Sequence, residues 1–390
     1  MEICDLNSCV GCGSCQSVCP KNAVSLRLNE RGFWSPVVDD SQCIHCGLCQ
    51  KSCPCLVSVE RNEVATCLKA YTNDAEVLAK SSSGGLATEF YRRALERGYW
   101  VAGVKFNDDF SVSHLLTQNA NDLELFYGSK YIPAYTPNLF RDVKNRLESS
   151  PGVFFIGTPC QIAGLKAYLK RDYDNLITCD FICYGVGSLS VFFKAINRWG
   201  ALKNSVVKRL FFRSKLAGYK HNGKILVEMV NKDVYHCPFF DDFYCYGFGT
   251  RLFVRSSCDS CRYVGTARTS DITLADYRGK LTSVEEEKGA SLCLLNSSKG
   301  EKIFNEIASR ITFQKVEKED VLRFATQLTK LVPPNSKKEE FFNAIKKLPF
   351  DVVVQKYLIP KKRTFAQKFK NRIKSAIKGV LIFLRLYKSF

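Results

Sequence analysis

The stretch SCVGCGSCQSVCPK, residues 8–21, holds Cys9, Cys12, Cys15 and Cys19, separated by two, two and three residues and closed by Pro20. QCIHCGLCQKSCP, residues 42–54, repeats the pattern 34 positions on with Cys43, Cys46, Cys49, Cys53 and Pro54. Thiolates in such triplets suit a 4Fe–4S cube, whose four ligands stand at the corners of a tetrahedron. Three close cysteines fold a loop over one face, and the fourth ligand comes from elsewhere. In the two-cluster form of this pattern the last cysteine of each run serves the other cube. Cys9, Cys12 and Cys15 with Cys53 would then hold one cluster, and Cys43, Cys46 and Cys49 with Cys19 the second. Gly11, Gly13 and Gly47 relieve crowding where backbone approaches sulfide. Zinc is the alternative, but its sites pair C-x2-C knuckles rather than triplets.

The chain as a whole has 390 residues, 46% hydrophobic and 24% charged, enough for two or three domains with cores of their own. Its 19 cysteines would mean disulfides in a small secreted protein. Here the start MEICDLN has no basic region followed by an apolar one, and no apolar run is long enough to span a bilayer. The expected location is therefore the reducing cytoplasm, with thiols as metal ligands. Of the net charge of +19, residues 351–390 contribute 11 Lys/Arg against one Asp, so the excess is concentrated in one tail.

Between the two cysteine runs, AVSLRLNERGFWSPVVD alternates apolar and polar residues around Arg31-Gly32 and predicts a hairpin. GGLATEFYRRALERG has helical spacing with Gly98 as its stop, and YWVAGVKF reads as a buried strand. VFFIG (153–157), the helix QIAGLKAYLKR and the strand LITCDFIC make a βαβ unit, hence a mostly parallel sheet. ASLCLLN and EKIFNEIASRI add a strand and a helix. SSSGG (81–85) opens a helix, where hydroxyls and free amides can seat a phosphate. GSKY (128–131) offers a cation and a ring, and GTPCQ (157–161) lies at the carboxyl end of a strand, where open α/β sheets bind ligands. Ser83, Gly84, Gly85, Lys130, Thr158 and Pro159 are the candidate cofactor contacts.

Residues 1–62 resemble the bacterial dicluster ferredoxin fold, two short hairpins with a helical turn after each motif. Residues 64–350 resemble the coenzyme F420 hydrogenase/dehydrogenase beta subunit family. That likeness rests on Ser82-Ser83-Gly84-Gly85, GSKY, GTPCQ, CYGVGS (183–188), and Cys258/Cys261 before Asp271-Ile272 and Asp276. In the fourth motif Tyr184 stands where the family has His, and Gly187 where it has Pro. The resemblance implies a flavin, usually FAD, and a third 4Fe–4S cluster, with a deazaflavin coenzyme as hydride partner in the founding members. The expected organisation is α+β: a ferredoxin-like dicluster domain (1–62), an α/β flavin-binding domain in two parts (63–150 and 151–350), and a basic amphipathic C-terminal helix (351–390).

For the third cluster the resemblance points to Cys160, Cys183, Cys258 and Cys261; a zinc ribbon of Cys237, Cys245, Cys258 and Cys261 is the rival. Cys4, Cys55, Cys67, Cys179 and Cys293 have no partner at useful spacing and read as ordinary thiols. His45, His114, His221 and His236 are isolated, and no catalytic residue is assigned, since hydride exchange through a flavin needs positioning rather than a protein base. The tail puts Phe365, Phe369, Ile373, Ile377, Val380, Leu381 and Leu384 on one stripe opposite Lys/Arg, the pattern of a helix docked on its own domain or lying at the inner face of a membrane. No nucleic-acid fold or aromatic platform is present. These readings predict an iron–sulfur flavoprotein oxidoreductase that moves electrons between its 4Fe–4S clusters and a flavin, in either direction, with a redox partner protein or reduced ferredoxin as partner. The alternatives are a non-catalytic relay subunit and a reductase in surface-polysaccharide biosynthesis.

Overall fold

The computed structural model of the chain describes residues 1–215, 219 and 223–360. Residues 361–390 of the predicted basic tail therefore lie outside the described residues, as does His221. Among the described residues no helix is long and apolar enough to cross a membrane.

Each cysteine run ends in a short helix, Ser14–Val18 and Leu48–Lys51. Between them β1 (Val24–Leu28) and β2 (Trp34–Val38) pair antiparallel as the predicted hairpin. The Asn29 side chain holds the turn by accepting from the Arg31 and Phe33 amides. A second hairpin does not form. After Cys53 the chain doubles back, the Leu56 and Val57 amides both donating to the Cys53 carbonyl. The next strand, β3 (Asn62–Glu63), finds its partner in the larger domain instead.

That domain is built on nine strands. They are β4 (Thr66–Thr72), β5 (Trp100–Phe106), β6 (Val112–Thr117), β7 (Ala134–Tyr135), β8 (Val153–Ile156) and β9 (Leu176–Phe181), followed, after an insertion, by three more. The insertion is a second, three-stranded antiparallel sheet, β10 (Val207–Ser214), β11 (Lys224–Met229) and β12 (Val234–Pro238). The chain then makes β13 (Ala267–Arg268), which pairs with β3, and returns to the large sheet with β14 (Ile272–Asp276), β15 (Ser291–Leu295) and β16 (Ile311–Lys315).

The large sheet runs β16-β4-β15-β14-β9-β8-β5-β6-β7. Its centre, β14-β9-β8-β5, is parallel, while β15, β4 and β16 on one side and β6 on the other add antiparallel pairs. The predicted βαβ unit is β8, the helix Pro159–Leu169, and β9 beside β8. β4 of residues 63–150 lies between β16 and β15 of residues 151–350, and β5 pairs with β8, so the two parts share this one sheet. Phe154 and Ile177 face a core under the helices Leu86–Glu96 and Ser298–Ile307; Phe155 and Leu176 face the opposite one under Leu139–Ser149 and Pro159–Leu169. This alternation on a parallel strand, buried on both sides, is why VFFI carries no polar residue.

The insertion packs its own aromatic core, centred on Trp199, Phe212, Tyr244 and Phe253. Asp242 organises it by accepting from the Trp199 indole, the Tyr235 hydroxyl and the Cys245 amide.

One buried tie joins β9 to the segment of the C-x2-C knuckle. Arg268 donates to Asp180 at 2.9 Å and to the Tyr263 carbonyl at 3.1 Å, and Thr273 donates to the other Asp180 oxygen at 2.6 Å. Burial raises the Asp180 carboxyl above its ordinary value, opposed by the Arg268 charge. Removing one member of such a pair leaves an uncompensated buried charge, at about 3–5 kcal/mol. Arg268→Leu is expected to lose that much in urea unfolding of the cofactor-free chain. Adding Asp180→Asn should restore part of it, a coupling read from the double-mutant cycle.

Candidate functional site

Three small cavities and one large one follow each other through the molecule. The outermost is lined by Cys19, Cys43, Cys46 and Cys49. Cys46 is exposed and Cys43 half-buried, so this cavity lies at the surface. The next is lined by Cys9, Cys12, Cys15 and Cys53, together with Cys4 and Cys55. The third lies between the two domains and is lined by Cys160, Cys183, Cys258 and Cys261, with Cys55 also in its wall. Cys160 stands in the first turn of the helix Pro159–Leu169, Cys183 just past β9, and Cys258 ends a 3-10 turn, Ser256–Cys258.

Cys237 and Cys245 stand apart from this third set. Cys245 is buried in the aromatic core and Cys237 lies on β12 beside it. Among the described residues the only three side chains that could hold a metal with ligand atoms within 4.8 Å of one another are Cys4, Cys53 and Cys55. A tetrahedral zinc ion, at about 2.3 Å from each sulfur, would draw its ligands to within about 4 Å of each other. None of the three expected quartets brings three ligand atoms that close together among the described residues.

The polar surroundings suit an anionic guest. Arg251 and Arg255 line the third cavity, and the Nε of each is buried with no acceptor among the described residues. Amides donate to sulfur at three of the expected ligand cysteines, Ala23 to Cys19 (3.2 Å), Gly185 to Cys183 (3.4 Å) and Tyr263 to Cys261 (3.4 Å). Hydrogen bonds of this kind tune cluster potentials. Burial pushes the Cys160 thiol up to about 12, so metal binding there must expel its proton.

The ferredoxin-like domain is bolted on through main-chain carbonyls of its cluster loops. Arg255 donates to Cys9 (3.3 Å) and Trp34 (2.9 Å), Ser257 to Cys9 (3.0 Å), Thr136 to Cys12 (3.0 Å) and Arg262 to Cys55 (2.6 Å). Gly164, in the helix that carries Cys160, allows a close approach: a Cβ there would stand 2.7 Å from the Cys12 sulfur.

The large cavity, about 740 Å³, adjoins the third and shares Cys160, Cys183, Tyr184 and Arg255 with it. Val10 lines the second, third and fourth cavities alike. The walls of the large cavity are mostly apolar and aromatic, including Tyr131, Phe239 and Phe248, with a few polar groups, as expected for a cofactor or ligand site. Ser83, Gly85, Lys130 and Thr158 line it. Gly84 and Pro159 do not: Gly84 is pressed against β4, where a Cβ would lie 2.4 Å from the Ala70 carbonyl, and Pro159 faces the third cavity.

The lining residues are partly engaged with the protein. Ser83 donates to the Ala290 carbonyl, and Lys130 to the carbonyls of Tyr127 (3.0 Å) and Gly128 (3.2 Å). Burial pulls the Lys130 ammonium down to about 7, so this lysine serves the loop first. Thr158 and Gln161 cap the helix Pro159–Leu169 reciprocally. The helix Leu86–Glu96, by contrast, opens with no side-chain cap, and Leu86, Ala87 and Thr88 face the cavity. Ser82, which accepts from the Ser129 amide, and the Arg213–Asp276 ion pair at 2.9 Å complete the wall. Sequence reasoning missed Arg213 and Arg255, single arginines outside any motif.

Residues 8–57 match the 4Fe-4S dicluster domain, and residues 151–320 match the family described as the carboxyl terminus of the coenzyme F420 hydrogenase/dehydrogenase beta subunit. A coenzyme F420-dependent sulfite reductase of Methanocaldococcus jannaschii is 29% identical over 170 residues, 42% of this chain; the chain spans only 26% of that relative's length. An uncharacterized protein of the same organism is 23% identical over 341 residues, 78% of this chain and 87% of that one. Among solved structures, a chain of the F420-reducing NiFe hydrogenase complex from Methanosarcina barkeri matches with TM-score 0.50 and 19% identity, over 72% of this chain and 92% of that one, a likeness of fold. The chain thus joins a 4Fe–4S dicluster domain to a larger domain whose residues 151–320 match the coenzyme F420 hydrogenase/dehydrogenase beta subunit family.

Proposed function

We propose that the chain is an iron–sulfur flavoprotein oxidoreductase with three 4Fe–4S clusters and one flavin. Cys19, Cys43, Cys46 and Cys49 hold the outer cluster, Cys9, Cys12, Cys15 and Cys53 the inner one, and Cys160, Cys183, Cys258 and Cys261 the third. The large cavity takes the flavin, as FAD. The observation that carries this reading is the shared walls: Val10 borders three successive cavities, and Cys160 and Cys183 border both the third and the largest. When bound, the flavin supplies the conversion between single electrons and hydride.

The protein's own residues divide the work. The uncapped start of the helix Leu86–Glu96 offers amides to a phosphate. Tyr131, Phe239 and Phe248 give apolar faces for a ring system and exclude water. Arg251 and Arg255 offset the negative charge of the third cluster. Coenzyme F420, named in the family description and in the sulfite reductase relative, is the first hydride partner to test.

Electrons enter at the outer cavity, where Cys46 is exposed and its neighbour Ile44 is 57% exposed. The partner there is a reduced ferredoxin or an equivalent one-electron donor. Ile44→Glu should slow reduction by ferredoxin about tenfold, the equivalent of about 1.4 kcal/mol in the encounter, while dithionite still reduces every cluster. Stopped-flow bleaching with each donor reads the difference.

Composition tests the assignment as a whole. Anaerobically purified chain should carry about twelve irons, matching sulfide, one flavin and no zinc, and Cys183→Ala should lose about four irons. Eight irons with one zinc would replace the third cluster by a ribbon, and full iron without flavin would make the chain a relay subunit.

A further inference from the structure

The two ferredoxin-type cavities differ in one respect. The outer one is lined by four cysteines, Cys19, Cys43, Cys46 and Cys49. The inner one is lined by six, because Cys4 and Cys55 join Cys9, Cys12, Cys15 and Cys53. The two additional thiols are not scattered round the wall. Both gather at Cys53, and the three sulfurs lie within 4.8 Å of one another, all buried.

The backbone explains the gathering. Pro54 separates Cys53 from Cys55, and the turn closed by the Leu56 and Val57 amides on the Cys53 carbonyl folds Cys55 back over its neighbour. Cys55 then donates to the Ser8 carbonyl at 3.1 Å, one residue before the first cysteine of the quartet. Cys4 enters from the amino-terminal segment. Buried cysteines usually act as small apolar residues, and Cys67, Cys179 and Cys293 do so within the cores of the large sheet. Cys4 and Cys55 face a cavity walled by sulfur instead.

We propose that the fourth corner of the inner cluster is served by three exchangeable thiols, with Cys53 as the resident ligand and Cys4 and Cys55 as replacements. In the exchange the bond from iron to the Cys53 sulfur breaks and one to the Cys4 or Cys55 sulfur forms. The proton of the incoming thiol passes to the departing thiolate. No electron is gained or lost, and the charge of the site is unchanged. An iron whose ligand has left is recaptured on the spot, so the cluster nearest the larger domain survives conditions that strip an ordinary cube. The outer cluster has no such reserve among its lining residues. This inference rests on the dicluster reading of residues 8–57.

The test compares the two fourth-corner ligands. Cys53→Ala and Cys19→Ala are purified anaerobically, and iron content and the paramagnetic resonance of the dithionite-reduced protein are measured. Cys53→Ala is expected to keep the wild-type iron and both four-iron signals. Cys19→Ala and the triple variant Cys4→Ala/Cys53→Ala/Cys55→Ala each lose up to about four irons. Equal loss from Cys53→Ala and Cys19→Ala overturns the proposal, as does full iron in the triple variant. Should Cys53→Ala fail to fold, Cys4→Ala/Cys55→Ala leaves the resident quartet intact. Under ferricyanide its three-iron signal should grow several-fold faster than in the wild type, and equal rates overturn the proposal. A Cys4–Cys55 disulfide in the anaerobic wild-type protein, seen as the loss of two hydrogens by intact mass, also overturns it. Wild-type chain without iron would remove the dicluster reading itself, a failure visible before any variant is made.

Discussion

Electron tunnelling weakens steeply with distance, so a molecule of this kind depends on how firmly its cluster loops are held against the domain they feed. Here the hold is a set of hydrogen bonds from Arg255, Ser257, Thr136 and Arg262 to the carbonyls of Cys9, Cys12 and Cys55. All the acceptors are main-chain, so the loop cannot tilt without leaving the buried Arg255, Ser257 and Thr136 donors unpaired, at about 1–3 kcal/mol each. Gly164 sets the gap. A side chain there would push on Cys12, and the helix that carries Cys160 would move off the inner cavity. A single rigid helix thus spaces a residue of the second cavity from a residue of the third.

The same arginines serve electrostatics. Each cluster with its thiolates is anionic and becomes more so on reduction, and burial in a medium of low dielectric makes that charge costly. Arg255 reaches the loop of the inner cavity and lines the third, while Arg251 donates to the Tyr184 carbonyl at 2.5 Å and pairs with Asp259 at 2.9 Å. Cations beside the inner sites and water beside exposed Cys46 are two different ways of stabilising the reduced state.

What was legible in the sequence follows from periodicity and spacing. The C-x2-C-x2-C-x3-C runs announced the dicluster domain, and the apolar runs around residues 153–181 announced β8, its helix and β9, because parallel central strands are buried on both faces. The antiparallel flanks of the sheet were not legible, since strand order depends on contacts far apart in the chain. The second hairpin was expected from analogy and is missing because β3 is taken by β13. Cys4 and Cys55 were read as ordinary thiols because nothing in their spacing relates them to Cys53; only the turn after Pro54 and the return of the amino terminus bring them together. At Gly84, expected as a phosphate contact, the lack of a side chain also lets its loop pack on β4 and β15.

The insertion between β9 and β14 gives the large cavity two kinds of wall. One side, made by the loops of the sheet domain, contributes Ser82, Thr158 and the start of the helix Leu86–Glu96, and is where electrons and a cofactor would be handled. The other side comes from the inserted aromatic unit, with Arg213, Phe239 and Phe248. Tyr184, at the position where the family resemblance has His, ties the two together, its hydroxyl donating to the Gly249 carbonyl at 3.0 Å. An imidazole is shorter and carries its donors on the ring, so it would not make that bond from the same backbone. The substitution therefore belongs to the wall contributed by the insertion and leaves the cysteine walls in place.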